Sequence, residues 1–465
     1  MNSRSLSKKE IFESVPVPRA VAAMAIPTII SQLINLIYNL ADSVFIGMTG
    51  DTDKAAAVTL VFTVFMMTVA FSNLFGIGGG SLMARLIGAK REEDAKNVCA
   101  YSFYGAIAIA LCYSLLIGCL LDPILRLLGA SDATIGDARI YVLLVIVIGN
   151  VPIILSQTVA HLLRNAGYSR QASIGLSGGG ILNILLDPLF MFVLLPKGSE
   201  VFGAALATLL SNVFACIYLV ITLARVSKKA PMSMSFRRAR SAGREEVREL
   251  YSVGVPSGML TALFDIGNIF LNALMADHGD IELAAIGIVM RAERLPNAIN
   301  IGLCQGMLPI VAYNYASGDR ERMHSVIKNV RLYGLVIAAL CLILFEIFAG
   351  QIVGVFMNTS VEGAENAQAC IALAAVFLQI RCLASPFQFM NYHTSFCMQA
   401  VGDGRDTLLH AAVRELIFYI PVMFLLDAVF GKYGLTCALI VGESFGAVLA
   451  LLLFARWKKK NGVFR

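Results

Sequence analysis

Charge is what this chain has least of. Only 15% of its 465 residues are Asp, Glu, Lys or Arg, against about 25% in soluble domains, which excludes an ordinary water-soluble globular protein. Metal-ligand spacing is missing as well. The ten cysteines (Cys99, Cys112, Cys119, Cys216, Cys304, Cys341, Cys370, Cys382, Cys397 and Cys437) show no CxxC pair and nearly all sit inside apolar runs, where Cys behaves as a small hydrophobe. The five histidines (His161, His278, His324, His393 and His410) are scattered, so neither a metal centre nor a disulfide framework is indicated. No nucleophile or phosphate-loop pattern is present either, which leaves enzymatic chemistry without a carrier. The opening MNSRSLSKKEIFESVPVPRA is polar and lacks the short apolar core and small-residue cleavage site of a signal peptide. The first apolar helix is therefore expected to double as the targeting signal.

In place of charge the chain has apolar length. Hydrophobic residues make up 58% of it and the mean hydropathy is +0.75. Runs of about 20 apolar residues, enough to cross a bilayer as a helix, recur from Val21 to Phe454. Barrel strands would instead alternate over about ten residues. Breaking the chain at polar and glycine-rich punctuation predicts an all-α polytopic membrane protein with twelve spans, over residues 20–48, 55–87, 94–121, 138–162, 170–196, 201–225, 250–277, 283–314, 326–352, 366–396, 406–430 and 433–456.

Lys and Arg set the expected orientation. The termini and the even-to-odd connections hold 28 of the 37, eight of them between Arg225 and Arg248, while the opposite connections hold only Lys54, Arg126, Arg139, Lys197 and Lys432. This bias places both termini in the cytoplasm of a bacterial-type plasma membrane. Basic loops beside anionic lipid also account for the net charge of +6 without nucleic acid as a partner.

The basic stretch at mid-chain divides two similar halves. Setting Pro27 against Pro256 without a gap also aligns Asn39 with Asn268, Gly50 with Gly279 and Asp51 with Asp280, and at nearby offsets Gly80 meets Gly306 and Gly167 meets Gly402. Two pseudo-symmetric six-helix bundles of the same orientation follow, an N-terminal lobe over residues 1–226 and a C-terminal lobe over 250–465, joined by a cytoplasmic basic linker at 227–249. Parallel repeats that rock about a central site are a transporter plan.

Buried charge points to the site. A charge at the centre of a spanning helix costs roughly 2.5–3.5 kcal/mol on insertion scales, so each needs a partner or a purpose. The C-terminal half embeds Arg291, Arg294, Arg381 and Arg414 with Asp265, Glu293, Glu415 and Glu443, a set that can neutralise itself and reads equally as a structural network or a functional one. The N-terminal half embeds Asp42 and Asp187 with no Lys or Arg inside its spans to balance them. Counted from the span ends at about 1.5 Å per residue, Asp42, Asp187 and Thr208 lie at a common level, and Asn183 shares a helix face with Asp187. Two carboxylates, an amide oxygen and a hydroxyl make an oxygen-rich site for Na+, and the same carboxylates can relay protons. Asn183 and Thr208 alone read equally well as helix packing. Pro188, directly after Asp187, is expected to kink the fifth span at the charged site.

These residues also carry a family likeness. The run from Pro27 to Gln32, YNLADSVFIG (Tyr38–Gly47), GIGGGSLMARLIGAK (Gly76–Lys90), NILLDP (Asn183–Pro188), GAALAT (Gly203–Thr208) and QGMLPIVAYNYASG (Gln305–Gly318) together resemble the MATE family of multidrug and toxic compound extrusion transporters, in its prokaryotic form. The order and spacing of the motifs extend over nearly the whole chain. The resemblance implies a secondary antiporter that exports amphiphilic, often cationic organic compounds against inward Na+ or H+, with no cofactor besides that ion. It matches Asp42, Asn183, Asp187 and Thr208 to the cation site of relatives that hold the ion in the N-terminal lobe. Another branch uses acids in the seventh and tenth helices. Asp265 lies near the first of these, but the tenth span here carries Arg381 and no embedded acid. The drug surface is expected in the cleft between lobes, with Met-rich and aromatic walls.

Two other readings compete with export. A flippase for lipid-linked oligosaccharides or another metabolite would place an unpaired cationic cluster in the cavity for a pyrophosphate headgroup, whereas here four embedded acids are available to the four arginines. An integral membrane enzyme lacks any supporting motif.

Overall fold

The computed structural model describes residues 8–357 and 364–460, and every regular element among them is helical. Arg4 and Arg465, counted above with the cytoplasmic termini, lie outside the described residues. A short α1 (Lys8–Glu13) precedes α2 (Val17–Gly47), α3 (Thr52–Gly88) and α4 (Glu92–Cys119). A seven-residue α5 (Leu121–Leu127) leads to α6 (Ile135–Val142), which runs through π-helical turns at Leu143–Ile148 into α7 (Asn150–Asn165). Then come α8 (Ser169–Pro188), α9 (Glu200–Val226), a short α10 (Phe236–Arg240), α11 (Arg244–Ala276), α12 (Asp280–Ser317) and α13 (Arg320–Phe356). The chain closes with α14 (Ala364–Cys382), α15 (Ser385–Val401), α16 (Gly404–Ala412), a π-helical stretch at Val413–Tyr419, and α17 (Ile420–Lys460).

Nine of these stretches are long and apolar enough to cross a membrane. Two further spans are bent pairs, α6 with α7 and α14 with α15, each broken by 49°. Gly431 divides the stretch from Gly404 onward at a φ of +58°, which brings the number among the described residues to twelve. The expected spans are all present, and most helices run a few residues further at each end. The helix of the seventh span begins at Arg244, inside the stretch read as linker.

Turns use the residues that sequence pairing had matched. Gly50 and Gly279 have φ of +67° and +135°, and Gly167 and Gly402 have +86° and +87°. Both pairs occupy backbone that strongly favours glycine, and Gly167 and Gly402 share nearly the same φ. Asp51 caps α3 by accepting from the backbone N–H of Asp53 at 3.0 Å and of Lys54 at 3.3 Å. That bonding holds its carboxyl below the usual range, the Lys54 N–H contributing most.

The halves meet along α2 and α3 on one side and α11 and α12 on the other, most tightly at the end that carries the 227–243 connection. A Cβ added at Gly78 would stand 2.7 Å from the Gly254 Cα, and one at Gly306 would stand 2.5 Å from the Ala25 Cα. Only glycine allows these backbones to approach so closely. Polar contacts seal the same end. Arg85 pairs with Glu249 at 2.9 Å and donates to the carbonyls of Gln399 and Ala400 at 3.4 and 3.3 Å, and the Ser81 hydroxyl donates to the Gln399 carbonyl. Arg322 of α13 reaches the carbonyls of Phe12, Ile11 and Val15 at 2.6, 3.0 and 2.6 Å, tying α1 across the closure. Toward the opposite end the halves diverge around two adjoining cavities.

Candidate functional site

Asp187 is the last residue but one of α8, and at Pro188 the helix changes type. With no N–H to give to an α-type bond, Pro188 hands the chain over to π-helical turns at Leu189–Leu194. Such turns are rare and cluster at functional sites. Asp187 is fully buried, and Asn183, one turn earlier, is 2% exposed. The Asn183 amide donates to Asp187 Oδ1 at 3.3 Å and to Thr208 Oγ1 on α9 at 3.4 Å. The structure thus brings Asn183, Asp187 and Thr208 together. Asp42 sits in the last turns of α2, takes the Tyr141 hydroxyl at 3.5 Å, and lines the same cavity as Thr208.

Three oxygens in this group have no protein partner: Asp42 Oδ1, Asp187 Oδ2 and Asn183 Oδ1. Buried polar atoms are normally satisfied, so these three acceptors are open to a proton, a cation or a water. A small cavity of about 20 Å³, lined by Asn35, Tyr38, Gln157, Asn183, Ser211 and Asn212, adjoins Asn183. Tyr141 has no signal in the sequence, and Tyr38 appears there only as the start of the YNLADSVFIG motif. Tyr141 reaches the site only because the bent fourth span carries α6 against α9, which no local pattern signals.

One expectation needs correction here. The N-terminal half does contain buried guanidinium groups: Arg85 (6% exposed) falls inside the expected second span, 55–87, and Arg164 (3%) is enclosed because α7 runs on to Asn165, past the expected span end at 162. Both lie in last turns at the linker end, about 27 Å along α8 from Asp187 at the usual helical rise. Neither neutralises the acids.

The C-terminal charges do not form one self-neutralising set. Arg381 holds Glu293 through a fork of two bonds at 2.8 Å, and Arg414 takes Glu415 at 2.5 Å and Glu443 at 3.6 Å. Asn391 donates to Glu443, and His410 joins Asn391 and Ser395 at 3.1 Å each, extending the network through residues that sequence reasoning had not linked. Arg291, Arg294 and Asp265 stay outside it, with no ion pair among the described residues. Both arginines belong to the cleft face of α12.

That cleft comprises a cavity of about 390 Å³ and a second of about 260 Å³. Arg294 lines both, while Asp42, Thr208 and Arg291 line the second, so the N-terminal acids open onto the same space. The walls are not Met-rich as expected. They carry amides such as Gln32, Asn73, Asn297 and Gln305, with Phe264, Phe62 and Phe65. Gln32 donates to Gln305 at 3.4 Å and Asn73 to Thr261 at 3.1 Å, bridging the halves across the floor.

Twelve spans in two similar halves, closed at one end around a central cleft, define a membrane transporter fold. The MatE family model matches residues 27–189 and 256–425, and the chain belongs to this family of transporters. It is not an enzyme. It is 30% identical over 442 residues to the multidrug export protein MepA of Staphylococcus saprophyticus, covering 95% of this chain and 94% of that one, and equally so to MepA of Staphylococcus aureus strain MRSA252. Its fold superposes on a MATE crystal structure in complex with MaL6 with a TM-score of 0.91 at 23% identity, covering 98% of this chain and 99% of the other. An outward-facing multidrug resistance MATE family transporter gives 0.89 at 23% identity, covering 98% of both chains.

Proposed function

We propose that this protein is an ion-coupled exporter of drug-like organic compounds, working by alternating access, with Asp42, Asn183, Asp187 and Thr208 as the coupling site for Na+ or H+. The observation that carries this reading is the group of orphaned oxygens around Asp187, which borders the same cleft that a substrate would occupy. Multidrug export by relatives sharing 30% identity over 95% of the chain supports the substrate class. With the basic linker in the cytoplasm, the closed end faces inward and the cleft opens outward, the state in which an exported compound leaves and an external cation enters. Filling the site relieves the repulsion between Asp42 and Asp187, and coupling requires only that ion and drug bias the same two-state equilibrium.

The experiment is reconstitution in liposomes with Na+ and pH gradients imposed separately while a fluorescent organic compound is followed. Efflux under one gradient and not the other identifies the ion, and efflux indifferent to both contradicts antiport. A flippase for lipid-linked sugars is a second reading, favoured by the two arginines without acids in the cleft. The likeness to multidrug exporters over nearly the full length weighs against it.

A further inference from the structure

Among the embedded arginines, two are committed and two are not. Arg381 and Arg414 each hold carboxylates inside the C-terminal half. Arg291 is half-buried and Arg294 exposed, three residues apart on one face of α12, both facing the cleft. Arg294 lies with its guanidinium 5.5 Å from the centre of the Phe62 ring on the facing half. Neither has an ion pair, although Asp42 lines the same cavity and Asp265 stands on the neighbouring α11. Arg294 sits about 21 Å along its helix from Asp280, at membrane depth by the usual rise.

We infer that Arg291 and Arg294 form an anion-recognition subsite in the transport cleft, and that the compounds carried include aromatic molecules bearing a carboxylate or a similar anionic group. This inference rests on the reading of the cleft as the drug site. Two unpaired charges at membrane depth are retained against an insertion cost, and the guanidinium fork matches a planar carboxylate with two parallel bonds, in a way that an ammonium does not. Phe62 and Phe65 on one wall and Phe264 on another give the aromatic body a surface to stack on. The stacking of Arg294 on Phe62 holds the guanidinium in place without consuming its hydrogen-bond donors. A purely cationic compound would meet two like charges here. A zwitterion would place its anionic end on the arginines with its cationic end toward Asp42.

A matched pair of dyes tests this. Rhodamine 110 carries a free carboxylate, and rhodamine 123 is its methyl ester. Anisotropy titration of the full-length protein in lipid nanodiscs is expected to show the acid bound about tenfold more tightly than the ester, as one charge-assisted bidentate contact provides. Replacing both arginines by glutamine (Arg291→Gln with Arg294→Gln) should abolish that preference by weakening the acid about tenfold, while the cationic ester, relieved of two like charges, binds at least as tightly as before. The corresponding double lysine variant should keep part of the preference. An unchanged thermal midpoint of the variant reports an intact fold, and the comparison in the unmodified protein needs no variant at all. Equal affinities for the two dyes in the unmodified protein would overturn the inference, as would an equal loss of both in the glutamine variant. If the ester is bound and exported while the acid is not, the transport reading stands and this subsite falls. If neither dye binds, both fall.

Discussion

Glu293 and Arg294 are neighbours in the chain with opposite charges, and the structure turns them away from each other. Glu293 is buried and accepts the two-bond fork of Arg381 inside the C-terminal half, while Arg294 lies over Phe62 in the cleft. Successive helical residues point about 100° apart, so one position faces the helix bundle and the next faces the path between lobes. Charge at adjacent positions is here divided between holding the bundle together and lining the cleft.

The Arg381–Glu293 pair should behave as a structural element. Arg381→Ala strands a buried carboxylate, which typically costs about 3–5 kcal/mol. The expected result is a clear drop in the thermal midpoint of the detergent-purified protein and in its yield. Converting both partners to apolar residues (Arg381→Met with Glu293→Leu) should recover most of the loss. A normal midpoint in Arg381→Ala accompanied by lost transport would assign this pair to the mechanism instead.

The closure at the linker end should yield to added volume. A side chain at Gly254 would meet the Leu74 carbonyl, and backbone has to move to admit it. Gly254→Leu is therefore expected to separate α3 from α11, loosen the Arg85–Glu249 contact and shift the population away from the closed-end state. Hydrogen exchange over residues 78–90 should rise relative to the unmodified protein, while exchange in α9 should stay as it was. Unchanged exchange over residues 78–90 would mean that this crossing does not hold the closure.

The spans were readable because apolar runs of bilayer length leave a helix few alternatives, and the repeat because Gly50, Gly279, Gly167 and Gly402 mark turns that a Cβ would strain. Asn183 and Asp187 were readable as a pair because one turn of helix separates them, and the Thr208 contact follows from their common depth. Tyr141 was not readable, since its approach to Asp42 depends on a 49° bend. Nor was the split among the arginines, because pairing by composition shows that acids are available and leaves open which way each helix face turns. Arg85 and Arg164 have a simpler reason. Both stand in the last turn of a helix, Arg85 just inside an expected span end and Arg164 just beyond one, where a charge looks like a loop residue although the packed helix ends bury it.

Orientation can be checked with a native residue as reference. Cys119 is exposed at the end of α4 remote from the linker, and Ser241 is exposed in the linker. In intact cells an impermeant maleimide is expected to label Cys119. Ser241→Cys, in a background with Cys119 replaced, is expected to stay unlabelled until the membrane is opened. Labelling of Ser241→Cys from outside would invert the topology and with it the assignment of the open end.

The central claim is that the unsatisfied oxygens around Asp187 couple the ion to export, and Asp187→Asn in reconstituted liposomes tests it most directly. The substitution keeps shape and hydrogen-bonding capacity in the Asn183–Thr208 group while removing the charge. Gradient-driven efflux is expected to fall to the level of protein-free liposomes, with normal insertion and with dye binding retained. Asp42→Asn should do the same, and the double variant should be little worse than either alone, as two groups serving one site require. Gradient-driven efflux at the unmodified rate in Asp187→Asn would contradict the account.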